Sequence, residues 1–241
     1  MNEVMNQLKK RKSVRVYEDK RIPDEVKQEI ISSAFEAPTA GSMMLYSILD
    51  ITDEELKAKL AVTCDHQPFI AKAPLVLIFL ADYQRWYDGF YAEGCNPRKP
   101  GEGDLLMACA DAIIAAQNTV VAAESYGVGS CYIGDIIENC ETVRELLNLP
   151  DYAVPAAMLV YGYPTRGQLE RKKNPRFDKE YIVFENCYRR LNKEEQEEMH
   201  HRRDAVKDPA ESIRAICNRK YMSDFSIEMS RSAGIYLEKF R

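Results

Sequence analysis

Histidine is scarce in this sequence and paired cysteines are missing: there are three His, two of them the neighbours His200 and His201, and seven Cys without a CxxC spacing. A tetrahedral metal site would have to be gathered from distant residues, and a disulfide framework would need an even, patterned set. No metal is expected, and scattered free thiols fit a reducing compartment. Long hydrophobic runs are also lacking. The longest, Leu75 to Ala81, falls far short of the roughly 18–20 apolar residues of a membrane span. The opening MNEVMNQLKK has no apolar signal region either. Nor is there a basic excess: the formal net charge is −5 and the sequence pI about 5.4, which argues against phosphate-neutralising binding to nucleic acid. A cytoplasmic protein with neither membrane nor nucleic acid as partner is expected.

What is present is a 241-residue chain that is 46% hydrophobic, enough for a substantial core. Charge is uneven along it. Residues 1–21 carry seven Lys/Arg against three acids, and residues 166–176 carry five against one. If folding joins these segments they form an anion site in an acidic protein. Helices are predicted over 2–12, from Pro23 to Ala37, from a Thr52-x-x-Glu55 capping box to Ala61, from an Asp104 cap to Tyr126, over 139–148, and through 193–241. Leu45–Ile51, Ser130–Ile133 and Val154–Tyr161 read as strands, and Leu75–Leu80 as a strand covered on both faces. The helix after Asp104 is apolar nearly all round and is expected to be buried. Residues 83–103 read as a tyrosine-rich loop. Helices around a small sheet indicate an α+β or α/β architecture.

The densest chemical signal is Arg11-Lys12-Ser13-Val14-Arg15. On an extended segment, alternation places Arg11, Ser13 and Arg15 on one face, where two guanidinium groups and a hydroxyl can clasp a phosphate. The plainer reading is a solvated basic helix end favoured by the dipole. The segment does not stand alone: APTAGSM at 37–43, Gln67 before Pro68, AESYGVGSCYIGDI at 123–136, LNLPDYAVP at 147–155 and NPRF at 174–177 follow in order. With RKSVR at 11–15, this set resembles the nitroreductase superfamily, closest to its oxygen-insensitive NADPH nitroreductase and P-type flavin reductase branch. The resemblance runs from about residue 7 to 191, more loosely over the tail.

The resemblance implies a three-layer α+β fold with a small mixed sheet covered by helices. It further implies an intertwined homodimer, with residues 1–191 as the FMN-binding core and 192–241 as a helical extension on the partner. FMN would be held by Arg11, Lys12, Ser13 and Arg15, with Thr39 and Gln67 bonding ribityl or isoalloxazine. Lys173 and Arg176 would return to the phosphate, and the Ile133-Gly134 backbone would lie at the flavin edge, where glycine permits close approach. Two positions depart from the family pattern: Asn174 stands where a lysine is expected, and Asp135 where a second glycine is common. No catalytic side chain is implied. Flavin N5 carries hydride from NADPH or NADH to a nitroaromatic, quinone or flavin acceptor in ping-pong order, the protein supplying position and electrostatics. Arg202 and Arg203 fall where this branch meets the NADPH phosphate, although a helix-surface balance against Glu194–Glu198 explains them equally well. Tyr83 to Tyr91 reads as a substrate lid or as ordinary packing, and Cys131 as a redox thiol or a core residue. Two other functions stay open: a specialised relative such as an azo reductase or reductive dehalogenase, and a non-catalytic flavin-binding sensor.

Overall fold

The apolar run at 75–80 becomes the middle of a sheet. In the computed structural model, which describes residues 2–204 and 208–241, strand β2 (Leu75–Asp82) is buried at every position. It pairs antiparallel with β1 (Tyr46–Asp50) and β4 (Ala153–Gly162), and β4 pairs antiparallel with β3 (Gly129–Ile133), giving the order β1-β2-β4-β3. Among the described residues the single parallel pairing is the isolated bridge Ser13–Ser130. The β2–β4 register shifts between Phe79 and Leu80, opposite Pro155, whose missing N–H suits a bulge rather than a regular ladder.

Helices α1 (Glu3–Lys10) and α2 (Asp24–Ser32) precede the sheet, and α3 (Glu54–Thr63) and α4 (Pro68–Ala71) join β1 to β2. Next, α5 (Gln84–Ala92) and α6 (Glu102–Ser125) join β2 to β3, α7 (Cys140–Leu147) joins β3 to β4, and α8 (Arg166–Glu170) follows. The tail forms α9 (Lys193–Asp204), α10 (Pro209–Ile216) and α11 (Asp224–Glu238). Alternation along β2 sends Val76, Ile78 and Leu80 to one face, where they meet Leu60, Ile70 and Val143 of α3, α4 and α7. Leu75, Leu77 and Phe79 face the other way, onto Ile30 of α2 and Ala112, Ala116 and Val120 of α6. These are the expected three layers, and each large side chain buried between them contributes about 1.5–3 kcal/mol.

Several sequence expectations shift. The loop at 83–103 contains α5, because Trp86 and Phe90, like Tyr87 and Tyr91, are spaced one helical turn apart and pair their rings. Asp53, not Thr52, caps α3, accepting from Leu56 N–H at 2.7 Å. Asp104 is the third residue of α6 rather than its cap; its carboxylate reaches back to Gly101 N–H at 2.7 Å and pairs with Arg98. The second predicted helix stops at Ser32 and continues as the 3-10 turn Ser33–Glu36. The most apolar 18-residue stretch of α6 has a mean hydropathy of 1.6, long and apolar enough by composition for a membrane span, and the helix packs on β2 and β4 as a core helix. It is not buried all round: Leu106 is 71% exposed, and Met107, Ile113 and Ile114 are exposed with it.

Two compact units make up the chain: residues up to Arg171 together with Glu228–Arg241, and Lys172–Ile227. In the first, the chain leaving α1 turns extended at Arg11 and lies along the sheet edge. Val14 N–H donates to Ser130 O at 2.9 Å and Glu18 N–H to Tyr163 O at 2.9 Å. This approach needs bare Cα atoms beneath it. A Cβ on Gly129 would sit 2.4 Å from Val14 Cγ2, and one on Gly162 2.5 Å from the Tyr17 ring. Gly129→Ala should therefore lower stability by about 1–3 kcal/mol through overpacking, read as a fall in Tm. An unchanged Tm would show that segment 13–17 yields easily.

Candidate functional site

The extended segment holds its charges in fixed places. Lys12 Nζ donates to Leu169 O at 2.6 Å and Arg171 O at 2.5 Å, Arg171 Nη2 donates to Ser13 O at 2.6 Å, and Arg15 N–H donates to Gln168 Oε1 at 3.2 Å. The Lys12 ammonium is thus committed to carbonyls at the C-terminal end of α8. Arg11 differs: its Nη1 is buried with no hydrogen-bond partner, beside Val120 and Glu124 of α6. A desolvated guanidinium nitrogen without an acceptor is costly, and an anionic ligand would relieve that cost. Arg15 stands apart from it, lining a 710 Å³ groove with Tyr17, Phe69 and Lys72 and lying over the Phe69 ring at 5.8 Å. In this chain Arg11 and Arg15 line different cavities.

At the far end of β3, Ile133 is buried and Gly134 opens the 3-10 turn Gly134–Ile137. A Cβ on Gly134 would meet nothing within 4 Å, so open space lies before it. Gln67 reaches this turn from the α3–α4 connection: its Nε2 donates to Cys64 O at 2.9 Å and Asp135 Oδ2 at 3.1 Å. The two residues before it, Asp65 (φ 57°) and His66 (φ 51°), are both left-handed, a conformation non-glycine residues hold only under constraint. Asp135, the departure from the family pattern, turns its carboxylate to Gln67.

Thr39 sits in a second strained loop, where Gly41, Ser42 and Met44 have positive φ. Its hydroxyl donates to Asp111 Oδ2 at 2.5 Å and accepts from Met44 N–H at 2.8 Å. Asp111, 4% exposed on α6, also accepts from Ala40 N–H at 3.1 Å and Leu45 N–H at 3.2 Å. Sequence reasoning passed over Asp111; the signal was an acid placed inside an otherwise apolar helix pattern. It also passed over Glu138, 3% exposed, whose carboxyl is pushed up to about 7 by burial and by Asp135, Asp65 and Glu228.

Lys173 and Arg176 belong to the second unit, so each is placed only within it. Arg176 lines a 520 Å³ cavity with Arg203, Arg219 and Phe177, and Arg203 lies 4.2 Å over the Phe177 ring while pairing with Asp204. Arg202 pairs with Glu198 of its own helix and with Glu180, which lies outside it. Helix α5 is docked, with Trp86 Nε1 donating to Met43 O at 2.7 Å, which favours packing over a free lid for Trp86. Cys131 is fully buried in the core beside Ile133.

Residues 8–163 match the model of the nitroreductase family. The chain is 34% identical over 229 residues to a Cr(VI) reductase of Pseudomonas sp. (strain G-1), covering 93% of this chain and 92% of that protein. To an FMN reductase (NADPH) of Bacillus subtilis (strain 168) it is 33% identical over 190 residues, 78% and 75% of the two chains. Among solved structures, B. megaterium NfrA2 superposes with a TM-score of 0.78 at 29% identity, covering 96% of this chain and 98% of its own.

Replacing Asp111 by Ala would leave the Thr39 hydroxyl and the Ala40 and Leu45 N–H groups without their acceptor. The expected loss is about 2–4 kcal/mol, measured by urea unfolding, with Asp111→Asn losing less. A loss below about 1 kcal/mol would mean that water replaces the carboxylate.

Proposed function

The chain belongs to the nitroreductase family, and on that premise we propose that it is an FMN-dependent NAD(P)H oxidoreductase acting on small electron-poor acceptors. The observation that carries the reading is the buried, unpartnered Arg11 Nη1 on a segment pinned to the sheet edge. That atom asks for an anionic acceptor, and the open space before Gly134 suits a flat ring; both fit FMN. Relatives named as FMN reductase and Cr(VI) reductase support the same class.

Bound FMN would supply the redox chemistry, accepting hydride from a nicotinamide and passing electrons to nitroaromatic, quinone or flavin acceptors. Arg11, Ser13 and Arg15 would bind its phosphate and pyrimidine side. Lys12, held by Leu169 O and Arg171 O, would fix the segment and add positive potential. Gln67 would orient the ring system, with the Ile133-Gly134 backbone beside it. Thr39 would contribute a remaining hydroxyl lone pair, and Lys173 and Arg176 would return to the phosphate as the resemblance implies. A guanidinium near the flavin pyrimidine would favour the reduced, anionic state, a role open to Arg15. With no general base required, donor and acceptor take turns in one cleft, which is ping-pong order. For the donor, Arg203 in the three-arginine cavity favours NADPH.

We further assign a homodimer, with residues 1–191 as flavin-binding core and 192–241 as an extension on the partner, its turns from Glu228 packing within the chain's own first unit. The stripe of Leu106, Ile113 and Ile114 on α6 supports a second copy, since it leaves apolar area in water. Seven free thiols support a cytoplasmic setting.

Visible absorbance after adding FMN and desalting, then adding NADPH or NADH without oxygen, tests the class: retained flavin that bleaches is expected, and a protein retaining none would sink the reading. Arg15→Ala should weaken FMN by about 10- to 100-fold, the worth of a charged hydrogen bond; full affinity would remove Arg15 from the site. In sedimentation velocity the native chain should run as a dimer and Leu106→Glu/Ile113→Glu as a monomer, whereas a monomeric native chain would overturn the assembly.

A further inference from the structure

Glu138 follows the turn that opens with Gly134, its N–H donating to Asp135 O at 3.0 Å. Its side chain is buried and Oε1 has no partner. The groups that face it are Asp135 of the same turn, Asp65 at the end of α3, with Cys64 beside them, and Glu228 of α11. Every charged one is an acid. Arg231 beyond them is committed to Glu228 at 2.7 Å and Glu141 at 2.8 Å. Burial first, then these acids, push Glu138 up to about 7, and the bond from its N–H to Asp135 O keeps both carboxyls on one short turn. A buried carboxyl among acids favours keeping its proton.

Asp135 passes this arrangement on. Its Oδ2 accepts from Gln67 Nε2, which also donates to Cys64 O. Both amide donors are then used, so the amide plane is fixed and Oε1 remains as an acceptor. Gln67 follows two left-handed residues, and this pair of hydrogen bonds holds it against relaxation.

We propose that Glu138 is a positioning residue for the flavin: protonated, it donates to Asp135, and Asp135 so held fixes the amide of Gln67 toward the cofactor. This rests on the reading of Gln67 as a flavin ligand. When the proton is lost, the buried Glu138 carboxylate repels the half-buried one of Asp135, and the turn carrying Gly134 loosens together with Gln67. Because the folded protein raises this acid above its ordinary value of 4.5, the stabilisation is whole below about pH 4.5 and is lost as pH rises through about 7. By linkage, flavin binds tighter to the protonated form.

The test measures FMN affinity by fluorescence quenching, on full-length native protein, Glu138→Gln and Gln67→Ala, at about pH 6 and pH 8. Alongside it, the Gln67 side-chain amide signal is followed by 15N NMR and identified by its absence in Gln67→Ala. Native affinity should fall roughly tenfold across that range, about one pKa unit of coupling. Glu138→Gln, which keeps a donor and cannot ionise, should hold the low-pH affinity at both values, and Gln67→Ala should bind weakly at both. The native amide signal should move with a midpoint near 7 and stay still in Glu138→Gln. A signal that never moves, or moves equally in Glu138→Gln, overturns the relay; native pH dependence surviving in Glu138→Gln overturns the link to flavin. If Gln67→Ala binds FMN like the native protein while the native amide still titrates through Glu138, it is the placement of Gln67 at the flavin that fails. Should Glu138→Gln not fold, the native titration and Gln67→Ala decide alone.

Discussion

Val14 rests on the bare Cα of Gly129, and Tyr17 on that of Gly162. The site depends on this contact because it turns a short basic peptide into part of the sheet. Backbone bonds to Ser130 and Tyr163 and ties from Lys12, Arg15 and Arg171 to their neighbours leave segment 11–18 little freedom. Charges on such a rail are ordered during folding, so an anion meeting them loses less conformational entropy on binding. The unpaired Arg11 nitrogen is the counterpart: folding tolerates its desolvation because that segment is held by everything else.

Two buried acids organise the two loops beside the proposed ligand, one in each helical layer. Asp111, from α6, collects three donors around the left-handed residues of the Thr39 loop. Glu138, on the opposite side of the sheet, meets only acids near the left-handed pair before Gln67. The same side-chain chemistry therefore has different consequences. A carboxylate with satisfied lone pairs is a fixed brace, whereas one facing its own charge is held by a proton and yields when that proton leaves.

How much of this could be read from residues alone depends on the range of the interaction. The double-sided strand at 75–80 and the basic pentad were legible because period and composition are local. The helix in 83–103 was hidden behind its glycine and prolines, although the Trp86–Phe90 spacing carried it. Cap positions at Asp53 and Asp104 moved by a residue or more because several acids compete at each helix start. That Lys12 serves α8 and that Asp111 holds Thr39 were beyond reach: both pairings join residues far apart in sequence, and nothing in either stretch names its partner. Arg11 and Arg15 share a face in the spacing argument, yet the helix end at Arg11 directs it to α6 while Arg15 opens on the groove.

The sheet order also sets the sequence in which the molecule can be made. Strand β2 pairs locally with β1, but its other edge waits for β4, with Leu75 opposite Tyr161. Until residues 153–162 have left the ribosome, the most apolar strand keeps one row of backbone groups unpaired, and closing it requires a large loop containing all of α6. Such an edge invites other chains, and it closes only when the fourth strand docks between β2 and β3.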